Sequence, residues 1–178
     1  MRAARPGLDV TIGLLDHGPP YVEDVAGAVA VPLLLSAGYH VRVDLPARAP
    51  RLTVTAAVGP DPLLSVALAD RLAEAGYDGR APVTLAAAGS ADERSLDDVR
   101  RQAALLAEHL DVEVTAAFVA AGEPRLSDVR PEAVASYLLA PGTFHDKLSA
   151  CGAQVVSAPL GDHAALADVV LARYDAAR

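Results

Sequence analysis

The sequence is short of the residues from which many sites are built. Its one cysteine is Cys151, it has no tryptophan, and aromatic side chains make up only 4% of its 178 residues. A lone cysteine excludes an internal disulfide and a thiolate metal cluster. With so few aromatics, the core must be Ala, Val and Leu, packed closely. No apolar run approaches the ~20 residues of a transmembrane helix, and the opening MRAARPGLDV lacks the apolar stretch of a signal peptide. No lysine- or arginine-rich tract stands out, and the net charge is −8. That balance argues against nucleic acid and against anionic membrane surfaces as partners. HExxH, nucleophile-elbow and Walker-type patterns are all missing. These absences leave the expectation of a soluble, cytoplasmic, globular protein.

What is present supports a sizeable core, since 52% of the residues are hydrophobic and 21% charged. Short apolar runs at 10–15, 28–35, 53–58, 83–88, 112–120, 134–140 and 154–160 are continuous rather than alternating. Strands buried on both faces read this way, as in a parallel sheet. Segments 62–76, 92–109 and 163–176 carry apolar residues at helical spacing. Strand and helix in alternation predict an α/β fold with parallel sheets and right-handed crossovers.

The chain also repeats itself. LDVTIGLLDHGPPYVEDV (8–25) parallels LDVEVTAAFVAAGEPRLSDV (110–129), VPLLLSAGYH (31–40) parallels ASYLLAPGTF (135–144), and AAVGPDPLLSVALADRL (56–72) parallels APLGDHAALADVVLARY (158–174). A nearly constant offset across three blocks indicates a duplicated α/β unit. We therefore expect an N-terminal half over 1–80 and a C-terminal half over 81–178. The strand, turn and helix of 82–102 have no counterpart in the first half, because Met1 aligns near Ala103. The first half is expected to lack its first strand.

The candidate chemistry clusters at strand ends. His40 follows Gly38 and Tyr39 after an apolar run, at the sheet edge where open α/β folds bind ligands. A histidine there can ligate a metal or accept a proton near neutral pH, or simply cap or pack a helix start. Arg42, Arg48 and Arg51 follow it closely. Guanidinium groups pair bidentately with carboxylates, so the cluster suits a polyanionic ligand, and salt bridging to Asp44 is the structural alternative. In LLDHGPP, Asp16 and His17 stand just past the run 10–15, and only one of two adjacent side chains can face a site. AAAGSADERS (86–95) reads as strand, turn and helix, with Ser90 or Asp92 as cap. His109, His145 and His163 read as structural or exposed.

VPLLLSAGYHVRVDLP resembles the Gly-X-His-x-x-x-Asp-[Ile/Leu]-Pro signature of the sirohydrochlorin chelatases, which insert cobalt or iron in cobalamin and sirohaem synthesis. AAAGSADERS is similar to that family's His-Gly-Ser-Arg-Asp-Pro segment, and the likeness spans nearly the whole chain. It implies two similar α/β domains facing one another across a cleft. It also implies a lyase that inserts Co2+ or Fe2+ as substrate metal, with no permanently bound cofactor and with sirohydrochlorin as partner. The family site has two histidines and a carboxylate. His40 matches the second histidine and Asp16 the carboxylate, so both are expected in catalysis and metal contact. Arg42, Arg48, Arg51, Gly38 and Tyr39 are expected to bind the macrocycle. The first histidine has no match: in the second half Ala88 takes its place, and Phe144 takes the place of His40. The second half thus reads as non-catalytic, and a non-catalytic tetrapyrrole- or metal-binding module is the alternative for the whole protein.

A chain that begins at Met1 would carry unpaired strand edges beside an open apolar groove, and is expected to self-associate. Light scattering checks this; a sharp monomer peak with a cooperative melt is the contrary result.

Overall fold

Small side chains decide the centre of the molecule. In the computed structural model, which describes residues 4–16, 18–27 and 29–178, the chain forms β1 (Val29–Ala30), α1 (Leu45–Arg48), β2 (Thr53–Val54), α2 (Pro62–Glu74), β3 (Val83–Gly89), α3 (Glu93–Leu110), β4 (Val114–Ala121), β5 (Ala133–Tyr137), α4 (Thr143–Ser149), β6 (Val155–Val156) and α5 (Ala164–Ala176). His17 and Ala28, the first residue of the expected strand 28–35, lie outside the described residues. The strands pair in parallel as a four-stranded sheet, β4-β3-β5-β6, and a two-stranded one, β1-β2. No helix among the described residues is long and apolar enough to cross a membrane.

Both faces of the larger sheet are covered. Leu85, Ala87, Phe118, Ala135 and Tyr137 point to one face and pack with α2, α3 and α5. Ala86, Ala117, Val134 and Leu138 point to the other and meet Leu148 of α4. The alternation follows from the two-residue period of a strand. Alanines in β3 let helices approach closely from both sides.

One helix of this core comes from the first half. Leu64, Leu68 and Leu72 of α2 are fully buried against the second half's sheet and helices. Fully burying each such side chain is worth about 1.5–3 kcal/mol. The expected halves 1–80 and 81–178 therefore share one core. A smaller cluster, Val22, Leu45 and Ala49 with Leu15, Leu52 and Val54, belongs to the first half alone.

The repeat is visible in the register. Val29 faces Thr53 as Ala133 faces Val155, and Ala30 faces Val54 as Val134 faces Val156. The bridge Leu14–Tyr21 is repeated by Phe118–Arg125. Asp61 caps α2 through the amide of Leu63 (3.0 Å), and His163 caps α5 through the amide of Ala165 (3.2 Å). The two helices exchange arginines. Arg71 of α2 donates to the Leu160 carbonyl (3.2 Å), while Arg173 of α5 donates to the Ala57 carbonyl (3.1 Å) and to Asp61 (2.9 Å).

Two expectations need correction. Residues 10–15 form no strand: their counterpart β4 pairs only with β3, and no β3 equivalent stands in the first half among the described residues. With no ladder to join, that segment makes the Leu14–Tyr21 bridge but no strand, and Ile12 and Leu33 stay exposed at 68% and 53%. The runs 28–35, 53–58 and 154–160 shorten to two-residue strands, and their remainders cross between elements as loops.

Gly59 marks the tightest approach of the two halves. A Cβ there would overlap the Tyr137 hydroxyl and the Leu35 carbonyl, whereas one at Gly27 would meet only Leu52 at 3.8 Å. Gly59→Ala is expected to lower stability by about 3 kcal/mol and Gly27→Ala to leave it nearly unchanged, as measured by denaturant unfolding.

Candidate functional site

His40 opens a helix rather than ending a strand, a third correction to the sequence reading. The strand β1 stops at Ala30, and an extended passage leads to a π-wound turn over His40–Asp44 that continues into α1. Pro46 gives a reason for the wide turn. It has no N–H to offer the carbonyl of Arg42, and its ring crowds that carbonyl. Winding the preceding residues more loosely relieves both. The turn is tied at its start, where the Gly38 carbonyl accepts from the amides of Val41 and Arg42 (both 3.2 Å).

The π-turn and the spacing of four residues bring His40 and Asp44 together. The Nδ1 of His40 lies 3.0 Å from Oδ2 of Asp44. A carboxylate only accepts, so Nδ1 donates, and in the neutral ring Nε2 keeps an open lone pair. The imidazole is half exposed, at 54% for its side chain, and Tyr39 stands edge-on to it at 6.1 Å between ring centres. A histidine whose one nitrogen is held by a carboxylate, with the other open, is the arrangement metal-binding imidazoles use. Among the described residues no group of three His, Cys, Asp or Glu side chains stands ready to hold an ion.

The other expected residues are dispersed. Asp16 is 64% exposed by side chain and lies 4.0 Å from Arg48, at the far end of the helix from His40. Arg48 grips both oxygens of Glu23 (3.0 Å each) and the carbonyl of Leu15, tying the first loop to α1. Arg42 pairs with Asp92, the residue that caps α3 through the amide of Arg94 (3.1 Å). Arg51 is exposed and makes no ion pair among the described residues. Of the three arginines, two already hold the protein's own carboxylates. Gly38 has a relaxed environment, with Ser95 atoms at 3.7 and 3.8 Å from a Cβ placed there.

AAAGSADERS does form strand, turn and helix. Ser90 accepts from the amide of Asp92 (3.0 Å), and Asp92 then caps α3 through the amide of Arg94, so those two amides at the helix start are already taken. Phe144, at the position equivalent to His40, also sits at a helix opening and is 41% exposed. His145 donates Nε2 to the Ser157 carbonyl (3.2 Å), and His163 is a cap whose Nε2 faces Asp70 (3.1 Å). Both are structural, as expected. Asp44 and Asp98 were not foreseen as site residues. The four-residue spacing of His40 and Asp44 signals the first; nothing local signals the second, whose partner is a backbone amide far away in sequence.

Residues 21–75 match the CbiX family, a span that contains His40, Asp44 and all three arginines but not Asp16. No curated protein matches the chain. Among solved structures, SirB from Bacillus subtilis, with Fe3+, is 24% identical with a TM-score of 0.81, over 98% of this chain and 84% of that one. The sirohydrochlorin chelatase SirB from Bacillus subtilis subspecies spizizenii, in complex with cobalt, gives 24%, 0.79, 99% and 84%. CbiX, described as the terminal enzyme for siroheme biosynthesis in denitrifying bacteria, gives 22%, 0.69, 90% and 80%. The chain thus has the fold of these chelatases over nearly its whole length, and the segment around His40 matches the CbiX family model.

The Glu23–Arg48 pair has a pH signature. Hydrogen bonds from Arg48 hold the Glu23 carboxyl below the usual glutamate range, with its own backbone amide assisting. A depressed carboxyl stabilises the fold above the unfolded-state pKa and loses that contribution as pH falls through the folded one. Glu23→Gln should therefore lower the melting temperature slightly at neutral pH, and the difference should vanish once the pH is well below the glutamate range. Parallel melts across pH 3–7 check this.

Proposed function

We propose that this chain is a sirohydrochlorin chelatase-like protein that inserts Co2+ or Fe2+ into sirohydrochlorin. The observation that carries the reading is the His40–Asp44 pair, with Nε2 open, at the head of a π-wound helix inside the CbiX-matching segment. The likeness of the whole fold to SirB supports it.

The chemistry needs a base. A divalent ion enters the macrocycle as two pyrrole N–H protons leave, so charge is conserved and two protons must be received. His40 Nε2 takes one, or first hands over the metal, and the Asp44 carboxylate behind Nδ1 stabilises the imidazolium that forms. The second proton goes to solvent, since Asp16 lies beside Arg48 at the far end of the helix. Nitrogen and oxygen donors accept both Co2+ and Fe2+ and do not choose between them. Arg51 supplies a free guanidinium for the substrate's carboxylates. Arg42 and Arg48 reach them only by releasing Asp92 and Glu23.

A specific observation favours a second reading. With no three-donor group among the described residues and two arginines engaged internally, a tetrapyrrole- or metal-binding module without turnover fits the same fold.

Purified protein mixed with sirohydrochlorin and Co2+ should convert the metal-free absorption spectrum faster than the protein-free mixture. His40→Ala should slow conversion by about 100-fold, the scale of a lost general base. Conversion at the uncatalysed rate, with the macrocycle still bound, would favour the binding module; no binding and no conversion would sink both.

A further inference from the structure

The turn that carries His40 is fastened to the other half of the molecule. Its own half gives it few restraints: the Gly38 carbonyl bonds, the His40–Asp44 pair, and the amides of Val58 and Gly59 on the Leu34 carbonyl. The second half gives four. The Tyr137 hydroxyl donates to the Leu35 carbonyl (2.8 Å), Ser36 and Ser95 share a hydrogen bond (2.6 Å), the Ala37 amide donates to Asp98 Oδ2 (2.8 Å), and Arg42 pairs with Asp92. Residues 35, 36, 37 and 42 thus bracket Gly38-Tyr39-His40 with bonds to β5 and α3.

Asp98 is the centre of this seam. It is only 4% exposed, yet it sits on the face of α3 that should hold apolar residues. A buried carboxylate is costly unless fully partnered. Its two oxygens are partnered, one by the Ala37 amide and one by Arg101. The neighbouring Tyr137 hydroxyl is pushed well up by burial, and further by the charges of Asp98 and Asp61, so it stays a donor to the Leu35 carbonyl. An apolar residue at 98 would leave the Ala37 amide unpaired. The carboxylate is explained by what it does for the turn.

We propose that Asp98 is a positioning residue for His40: by holding the Ala37 amide it fixes the turn from which the imidazole is presented, so the second half, without its own site histidine, serves as the scaffold for the first half's site. The proposal rests on His40 being the metal-contacting group, and its test separates the two. Asp98→Ala, Asp98→Asn and Ser95→Ala are made in the full chain. Amide hydrogen exchange is followed by NMR, and Co2+ binding is read from the His40 ring signals. Asp98→Ala should speed exchange at Ala37, Val41 and Arg42 by about tenfold, while amides in β3 and β5 keep their protection. Co2+ should bind His40 about tenfold more weakly. Asp98→Asn keeps an acceptor oxygen for Ala37 and should restore both readouts to near the parent values. Ser95→Ala, a milder change that folds even if Asp98→Ala does not, should loosen the same amides by a smaller factor.

Unchanged exchange at 37–42 in Asp98→Ala would overturn the proposal. So would equal loss of protection throughout the β3–β5 core, or loosened turn amides with unaltered Co2+ affinity. If Ser95→Ala leaves these amides as protected as in the parent, the seam does not hold the turn and the proposal also fails. Failure of the parent chain to bind Co2+ at His40 would instead overturn the site reading, and the exchange pattern would still decide whether Asp98 sets the turn.

Discussion

Everything in this molecule depends on the burial of α2 in a core it does not own by sequence. Leu64, Leu68 and Leu72 lie under the sheet of the second half, and the two arginines that α2 and α5 exchange lock the helices side by side. Among its described residues the first half has a two-stranded sheet and a three-residue buried cluster of its own. Such a small core does not fold independently. Its loops are therefore placed by the second half, and the His40 turn is the clearest case. An apolar contact gives the first half its position, and a polar seam at Tyr137, Ser95, Asp98 and Asp92 gives the turn its orientation.

The fold was largely legible in the sequence, for a physical reason. Parallel strands buried on both faces are written as unbroken apolar runs, and the helices between them as 3.6-residue patterns. The helices α2, α3 and α5 fall within two residues of their expected ends. The duplication was legible too, because two copies under the same packing constraint retain the same register. What failed was the length of strands. An apolar run becomes a strand only where a neighbour offers hydrogen bonds, and pairing is not written locally. Residues 10–15 are as apolar as β4 and lack only its partner.

The site was legible in part. His40 stands out as a histidine after an apolar run, and Gly38-Tyr39-His40 carries the family likeness. Its placement at a helix start depends on Pro46 and the π-turn, which a strand-based reading passes over. The arginines were legible as a cluster, but their occupation was not. Arg42 and Arg48 meet Asp92 and Glu23, one of them fifty positions away, and such encounters are fixed by tertiary packing alone. The same holds for Asp98, whose acidic side chain looks like part of a solvated helix face until the Ala37 amide arrives opposite it.

Between their matched ladders the two copies differ in length at one place. The offset between them is 104 residues through β1 and β5 (Val29 to Ala133) and 102 from β2 and β6 onward (Thr53 to Val155). The discrepancy falls wholly within the helical connection that holds His40 in one copy and Phe144 in the other. The ends of that segment are pinned by ladders of the same register in both copies. The segment between Ala30 and Thr53 behaves as an exchangeable insert: its length, its winding and its chemical cargo can change while the frame on either side keeps its register.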